Sequence, residues 1–127
     1  LDATRHCQPA VYVASVAAAE RLRLERSEAL ERCQAVAGIG VGEFAALHVA
    51  GVFDFELGLR LVRLRAEEMH RAASFGDQQQ VSIIGVELER VRALCEEARR
   101  SCGGDEICSV AYAVAPKAQI CAGTRAA

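Results

Sequence analysis

The 127-residue chain has no tryptophan, and aromatic residues make up only 5% of it. Its core must therefore be filled by Ala, Val, Leu and Ile, within a hydrophobic fraction of 52% and a charged fraction of 25% that mark a globular chain and not a disordered one. At this length it can hold one domain with a real core. No stretch approaches the roughly 18 uncharged apolar residues that a membrane-spanning helix needs. Neither sign of charge dominates: 15 Lys and Arg stand against 17 Asp and Glu, for a net charge of −2. That balance gives no electrostatic case for a nucleic-acid partner or for an anionic membrane surface. The six cysteines, Cys7, Cys33, Cys95, Cys102, Cys108 and Cys121, include no C-x-x-C pair. The tightest group, Cys95, Cys102 and Cys108, lacks zinc spacing and a nearby histidine, so no metal site is expected. They read as scattered buried thiols in a reducing compartment. The chain starts at Leu1 with neither Met nor a charged-then-apolar leader. Both ends read as cuts in a longer protein, so a missing targeting signal carries no weight.

The sharpest absence is a serine. Val36-Ala37-Gly38-Ile39-Gly40-Val41-Gly42-Glu43-Phe44 has the outline of a nucleophile elbow: an apolar run, three glycines at alternate positions, then an alanine-rich helical pattern. In G-x-S-x-G hydrolases and acyltransferases the middle position carries the attacking serine. Here that position is Gly40, so the means of presenting a nucleophile are kept and the nucleophile is not.

In chain order, residues 1–8 read as irregular, with a helix over 9–24 opened by Pro9. Val13, Val16 and Ala17 share a face of it, and its apolar residues all round predict burial between layers. Residues 25–32 read as a charged surface connection or a continued helix. A short strand is expected over 34–38 and a helix over 41–49, ended by Gly51. Asp54 should cap a helix running to about residue 73, with Leu57, Leu61, Leu64 and Met69 as its apolar positions. Gly58 inside that helix costs roughly 1 kcal/mol against Ala, which predicts close packing there. After a polar loop over 74–80 come a strand (80–86), an amphipathic helix (87–100) with Leu88, Val91, Leu94, Cys95 and Ala98 on one face, and a Gly103-Gly104 loop. A second strand (107–114), a Pro116-Lys117 turn and a third strand (118–122), stopped by Gly123, complete the pattern. Strand-helix-strand-strand is most of a split β-α-β unit of ferredoxin-like type. Two domains are expected: residues 1–75 with the elbow, and 76–127 as an incomplete ferredoxin-like subdomain.

Several separated motifs together resemble the malonyl-CoA:acyl-carrier-protein transacylase family, in its mitochondrial branch. They are Gln8-Pro9-Ala10, the elbow from Ala37 to Leu47, Ala50-Gly51-Val52-Phe53-Asp54-Phe55, Gly58-Leu59-Arg60-Leu61-Val62 and Arg65-Ala66-Glu67-Glu68-Met69. Val81-Ser82-Ile83-Ile84-Gly85 and residues 116–123 echo it more weakly. The resemblance implies an α/β fold: part of an α/β-hydrolase-like acyltransferase domain plus a ferredoxin-like small subdomain. It implies malonyl-CoA and acyl carrier protein as partners, other proteins of a larger complex, a mitochondrial matrix location and no cofactor. In such enzymes a serine attacks the malonyl thioester, a histidine activates it, and an arginine pairs with the free carboxylate. By this resemblance Arg65 is the carboxylate-binding arginine, a role suited to its planar fork. The resemblance likewise makes the backbone N–H of Val41 half of an oxyanion hole.

Four departures accompany the resemblance. Gly40 replaces the serine, so no acyl-enzyme forms by the usual route. Ile39 stands where a polar residue is common, and Tyr112 where an asparagine is common before the turn proline. The catalytic histidine and the glutamine-bearing loop fall outside the chain. The expected reading is a catalytically inactive family member acting as a binding or scaffold subunit, with an active malonyl transferase as the alternative. Among other chemistry-bearing residues, His48, His6 and His70 read as surface or packing histidines, Cys33 as a core thiol and Ser82 as a strand residue. Glu43 reads as a helix-opening carboxylate that favours the positive dipole end.

Overall fold

A computed structural model describes residues 3–103 and 105–127; Leu1, Asp2 and the Gly104 half of the expected Gly-Gly loop lie outside the described residues. The chain divides into two compact units, one running to Ala72 and the other from Ala73.

Among its described residues the first unit is entirely helical: α1 (Thr4–Glu25), α2 (Ser27–Glu31), α3 (Val41–Val49) and α4 (Phe55–Ala72). Helix α1 starts five residues before the expected position and holds Pro9 inside. Proline removes the bond to the carbonyl four residues back, that of Arg5, which is exposed and open to water. Nor is α1 buried all round. Its core-facing stripe is Gln8, Tyr12 and Val16, while Val11 and Val13 are exposed. Where nearly every position is apolar, periodicity cannot select a face, and the contacts of α3 and α4 selected it here. The expected strand over 34–38 is absent. These residues are irregular and exposed, because a strand needs a neighbour to pair with and the first unit has no other among its described residues.

Helix α3 has the expected bounds. Gly51 follows it at φ 78°, with the Val52 N–H donating to the Leu47 carbonyl at 3.0 Å and the Gly51 N–H to that of His48 at 2.9 Å, a Schellman ending. Asp54 caps α4 by accepting the Leu57 N–H at 2.7 Å. The buried stripe of α4 is Gly58, Val62 and Ala66; Leu57, Leu61, Leu64 and Met69 are exposed, contrary to expectation. The small residues face inward because Tyr12 of α1, fully buried, packs directly over Gly58: a Cβ there would lie 2.1 Å from the Tyr12 hydroxyl and 2.7 Å from the Phe53 ring. Tyr12 stacks on Phe55 at 5.7 Å and its hydroxyl donates to the Phe55 carbonyl at 3.4 Å. Val16, Ala45 and Val62 complete this core, with Val41, Phe44 and Leu59 around it.

The second unit is β1 (Gln78–Ile84), α5 (Leu88–Ser101), β2 (Cys108–Ala115) and β3 (Ala118–Thr124). The sheet order is β1-β3-β2, and β3 runs antiparallel to both neighbours. β1 and β2 are thus parallel and joined through α5, with β3 between them, which is the split β-α-β arrangement. Pro116 and Lys117 form the two-residue turn between β2 and β3. Gly123 lies inside β3 and does not stop it. It sits so close to the neighbouring strand that a Cβ would fall 2.1 Å from the Ile107 carbonyl oxygen. Val91 and Cys95 of α5 pack on Cys121 of β3, with Ile83, Val86, Cys108 and Val110 around them. No helix of the described residues is long and apolar enough to cross a membrane.

Candidate active-site elbow

The turn into α3 is built by backbone necessity at two of its three glycines. Gly40, at the helix N-cap, adopts φ 58° and ψ −119°, a left-handed conformation that disfavours any side chain. Gly38 has no room for a side chain: a Cβ would lie 2.1 Å from the Gly42 carbonyl oxygen, because the two arms of the turn meet there. Gly42 itself has open space around it. The Glu43 carboxylate accepts the Gly40 N–H at 2.9 Å, and the Gly42 and Glu43 amides donate to the carbonyls of Ile39 and Gly40. Glu43 thus ties down the turn in addition to favouring the helix dipole. Among the described residues no carbonyl or side chain accepts the Val41 N–H, the first amide of the helix.

Arg65, on α4, is the one arginine among the described residues that is not exposed. Its guanidinium donates to the side-chain oxygen of Gln8, and no carboxylate pairs with it among the described residues. Many of the other arginines pair with a Glu or Asp: Arg21, Arg23, Arg63, Arg71, Arg92, Arg99, Arg100 and Arg125 all do. Gln8 is buried and held in turn: its amide nitrogen donates to the Thr4 hydroxyl at 2.7 Å and to the Met69 sulfur at 3.3 Å. Gln8 was visible in the sequence only as the start of a motif. Its role as the neutral partner of Arg65 needed the packing of α1 on α4.

His48 is a packing residue: its Nδ1 meets the Phe53 carbonyl oxygen at 3.2 Å and its ring makes edge contacts with Tyr12 and Phe55. His6 is exposed and takes a hydrogen bond from Arg5, and His70 is exposed on α4. Cys33 is exposed and not a core thiol; its Sγ donates to the Ala35 carbonyl at 3.2 Å. Cys7 and Cys102 are exposed as well, so only Cys95 and Cys121 are buried, with Cys108 partly so. Ser82 and Tyr112 are exposed strand residues, Tyr112 beside an irregularity in the β2–β3 register.

A glycine-rich elbow opening a helix in one unit and a split β-α-β order in the other place the chain in the α/β class with acyltransferase architecture. No family model matches it. The human mitochondrial malonyl-CoA-acyl carrier protein transacylase is 39% identical over 127 residues, an alignment covering 97% of this chain and 33% of the human protein. The solved malonyl-CoA:acyl carrier protein transacylase of Xanthomonas oryzae is similar with a TM-score of 0.80 and 32% identity, over 99% of this chain and 38% of that one. A type II polyketide-synthase acyl-carrier protein in complex with its malonyl-transacylase gives a TM-score of 0.78 and 32% identity, over 98% and 38% of the two chains. This chain belongs to the malonyl-CoA:acyl-carrier-protein transacylase family. It spans about a third of the length of the curated relatives it matches.

Proposed function

We propose that this chain is a mitochondrial-type malonyl-CoA:acyl-carrier-protein transacylase relative that binds the malonyl group without forming an acyl-enzyme. It serves as a binding or scaffold subunit in a larger matrix assembly, with malonyl-CoA and acyl carrier protein as partners. The matrix location follows the human relative, named as mitochondrial. Arg65 carries the reading. A half-buried guanidinium whose partner is the neutral amide of Gln8 keeps its charge free for an incoming carboxylate. The Val41 N–H, with no acceptor of its own, supports a role in holding a carbonyl oxygen at the N-terminus of α3. Gly40 supplies the geometry of a nucleophile elbow and no nucleophile, so acyl transfer through a covalent intermediate has no atom to pass through. On the domain level, the first unit is part of the α/β-hydrolase-like large subdomain and the second is part of its ferredoxin-like insertion.

Calorimetric titration with malonyl-CoA and acetyl-CoA tests this. Malonyl-CoA should bind more tightly, and Arg65→Ala should remove the preference by about 10- to 100-fold, the worth of a charge-assisted hydrogen-bond pair. Equal affinity for the two thioesters in the unaltered chain would defeat the assignment of Arg65. The alternative, an active malonyl transferase, requires a covalent malonyl adduct in the intact mass after incubation. Its absence retains the non-covalent reading.

A further inference from the structure

Three of the six cysteines converge on one place in the second unit, although they come from three different elements. Cys95 lies on the inner face of α5, Cys121 on the central strand β3 and Cys108 at the start of β2. The Cys95 thiol donates to the Cys121 sulfur at 3.7 Å, and Cys108 packs against this cluster. We propose that these residues form an oxidisable thiol site, at which a small hydroperoxide converts Cys95 and Cys121 into a reversible disulfide.

The pair is in van der Waals contact, so a bond of about 2.05 Å needs a closure of less than two ångströms between a helix and the strand it packs on. Cys95 and Cys121 are only 6% and 7% exposed, yet access is not closed. Cys95 borders a cleft of about 380 Å³ that it shares with Cys108 and Cys121, and a second of about 250 Å³ between Arg92 and Arg99. A hydroperoxide is small enough for either. Burial pushes both the Cys95 and Cys108 thiols up; on Cys95 the hydrogen bond to Cys121 adds to this, and the neighbouring Cys108 thiol acts in the opposite sense to a smaller degree, so Cys95 stays above its ordinary value. Cys95, which lines both clefts and touches Cys121, is the attacking sulfur, and Cys121 is the resolving thiol. The arrangement is not a metal site: among the described residues no group of three His, Cys, Asp or Glu is placed to hold an ion.

The chemistry balances in two steps. The Cys95 thiolate attacks the outer oxygen of the hydroperoxide, the O–O bond breaks, and the alkoxide takes a proton and leaves as alcohol, or as water from hydrogen peroxide. Cys95 is then a sulfenic acid. The Cys121 sulfur attacks the Cys95 sulfur, the S–O bond breaks, and hydroxide leaves with the Cys121 proton as water. Two thiols are oxidised and one peroxide bond is reduced; a low-molecular-weight thiol reverses the disulfide by exchange.

The test uses the reduced, full 127-residue chain, dilute enough that exposed Cys7, Cys33 and Cys102 do not cross-link between molecules. After limiting hydrogen peroxide, free thiols are alkylated and the digest is mapped by mass spectrometry. A linked Cys95–Cys121 peptide should be the main cross-link, lost on incubation with glutathione. Cys121→Ser should leave Cys95 reactive toward a 1,3-dione that labels sulfenic acids. Recovery of Cys95 and Cys121 as alkylated thiols at doses that oxidise Cys7 or Cys33 would overturn the proposal, as would a Cys95–Cys108 link as the main product. The unaltered chain gives the primary readout, so a variant that fails to fold does not blunt the test.

Discussion

Gly40 concentrates the backbone cost of the elbow in one residue. Its φ of 58° and ψ of −119° are paid by glycine at almost no steric cost, whereas a side chain there would be held in a disfavoured region. There is open space for a Cβ, so the penalty of a substitution is backbone strain alone. Gly40→Ser should therefore lower stability by about 1–3 kcal/mol, read from the urea midpoint. A variant markedly more stable than the parent would contradict the view that glycine relaxes this turn. The turn was legible in the sequence, because a glycine pattern states a backbone requirement directly. Which glycines are required was not legible: Gly38 is enforced by contact with Gly42, two residues that the turn itself brings together. The partner of Arg65 was hidden for the same kind of reason, since Gln8 lies on another helix.

Two elements hold residues whose substitution separates local preference from packing. In α4, replacing Gly58 by alanine gains roughly 1 kcal/mol of helix propensity. It also places a Cβ 2.1 Å from the Tyr12 hydroxyl and 2.7 Å from the Phe53 ring. Moving two packed aromatics costs about 1–3 kcal/mol, so Gly58→Ala should be neutral to destabilising, and thermal unfolding should show no gain. In β3 the reverse holds. Gln119 is buried and its Oε1 has no hydrogen-bond donor among the described residues. A buried acceptor left unpaired costs about 1–3 kcal/mol, so Gln119→Met, similar in volume, should raise the denaturation midpoint. A lower midpoint would mean that the amide is satisfied in solution. Helix ends were the best-read features at this scale, because Asp54 and Gly51 act through bonds a few residues away. Helix faces were read worst. In α4 the leucines face out, since the groove under Tyr12 admits only Gly58, Val62 and Ala66.

For the whole molecule, Tyr12, Cys95 and Cys108 act in one direction. Burial raises the Cys95 and Cys108 thiols, with a hydrogen bond to Cys121 adding to it at Cys95 against a smaller opposing effect of Cys108, and a hydrogen bond to Cys95 adding to it at Cys108; burial also raises the Tyr12 phenol, with Asp54 adding to it. Each folded-state value lies above its unfolded one, so the folded chain keeps protons that the unfolded chain would lose. The stabilisation is complete below the ordinary thiol value of 9.0 and is lost as pH rises past it, and past 10.0 for tyrosine. Under reducing conditions the urea midpoint should accordingly be lower at about pH 10.5 than at neutral pH. An unchanged midpoint would mean that these groups are equally free to ionise in both states.

Family membership, the elbow, the split β-α-β order and most element positions are determined by the sequence alone. They rest on interactions a few residues long: caps, turns and the period of apolar positions. Tertiary structure alone decided which side of α1 and α4 is the core and that residues 34–38 form no strand. It also decided that Gln8 holds Arg65 and that three widely spaced cysteines meet. Each of these depends on the shape or hydrogen-bonding capacity of a neighbour distant in the chain. The elbow is a local motif, whereas the hydrogen-bond partner of Arg65 is a glutamine 57 residues away.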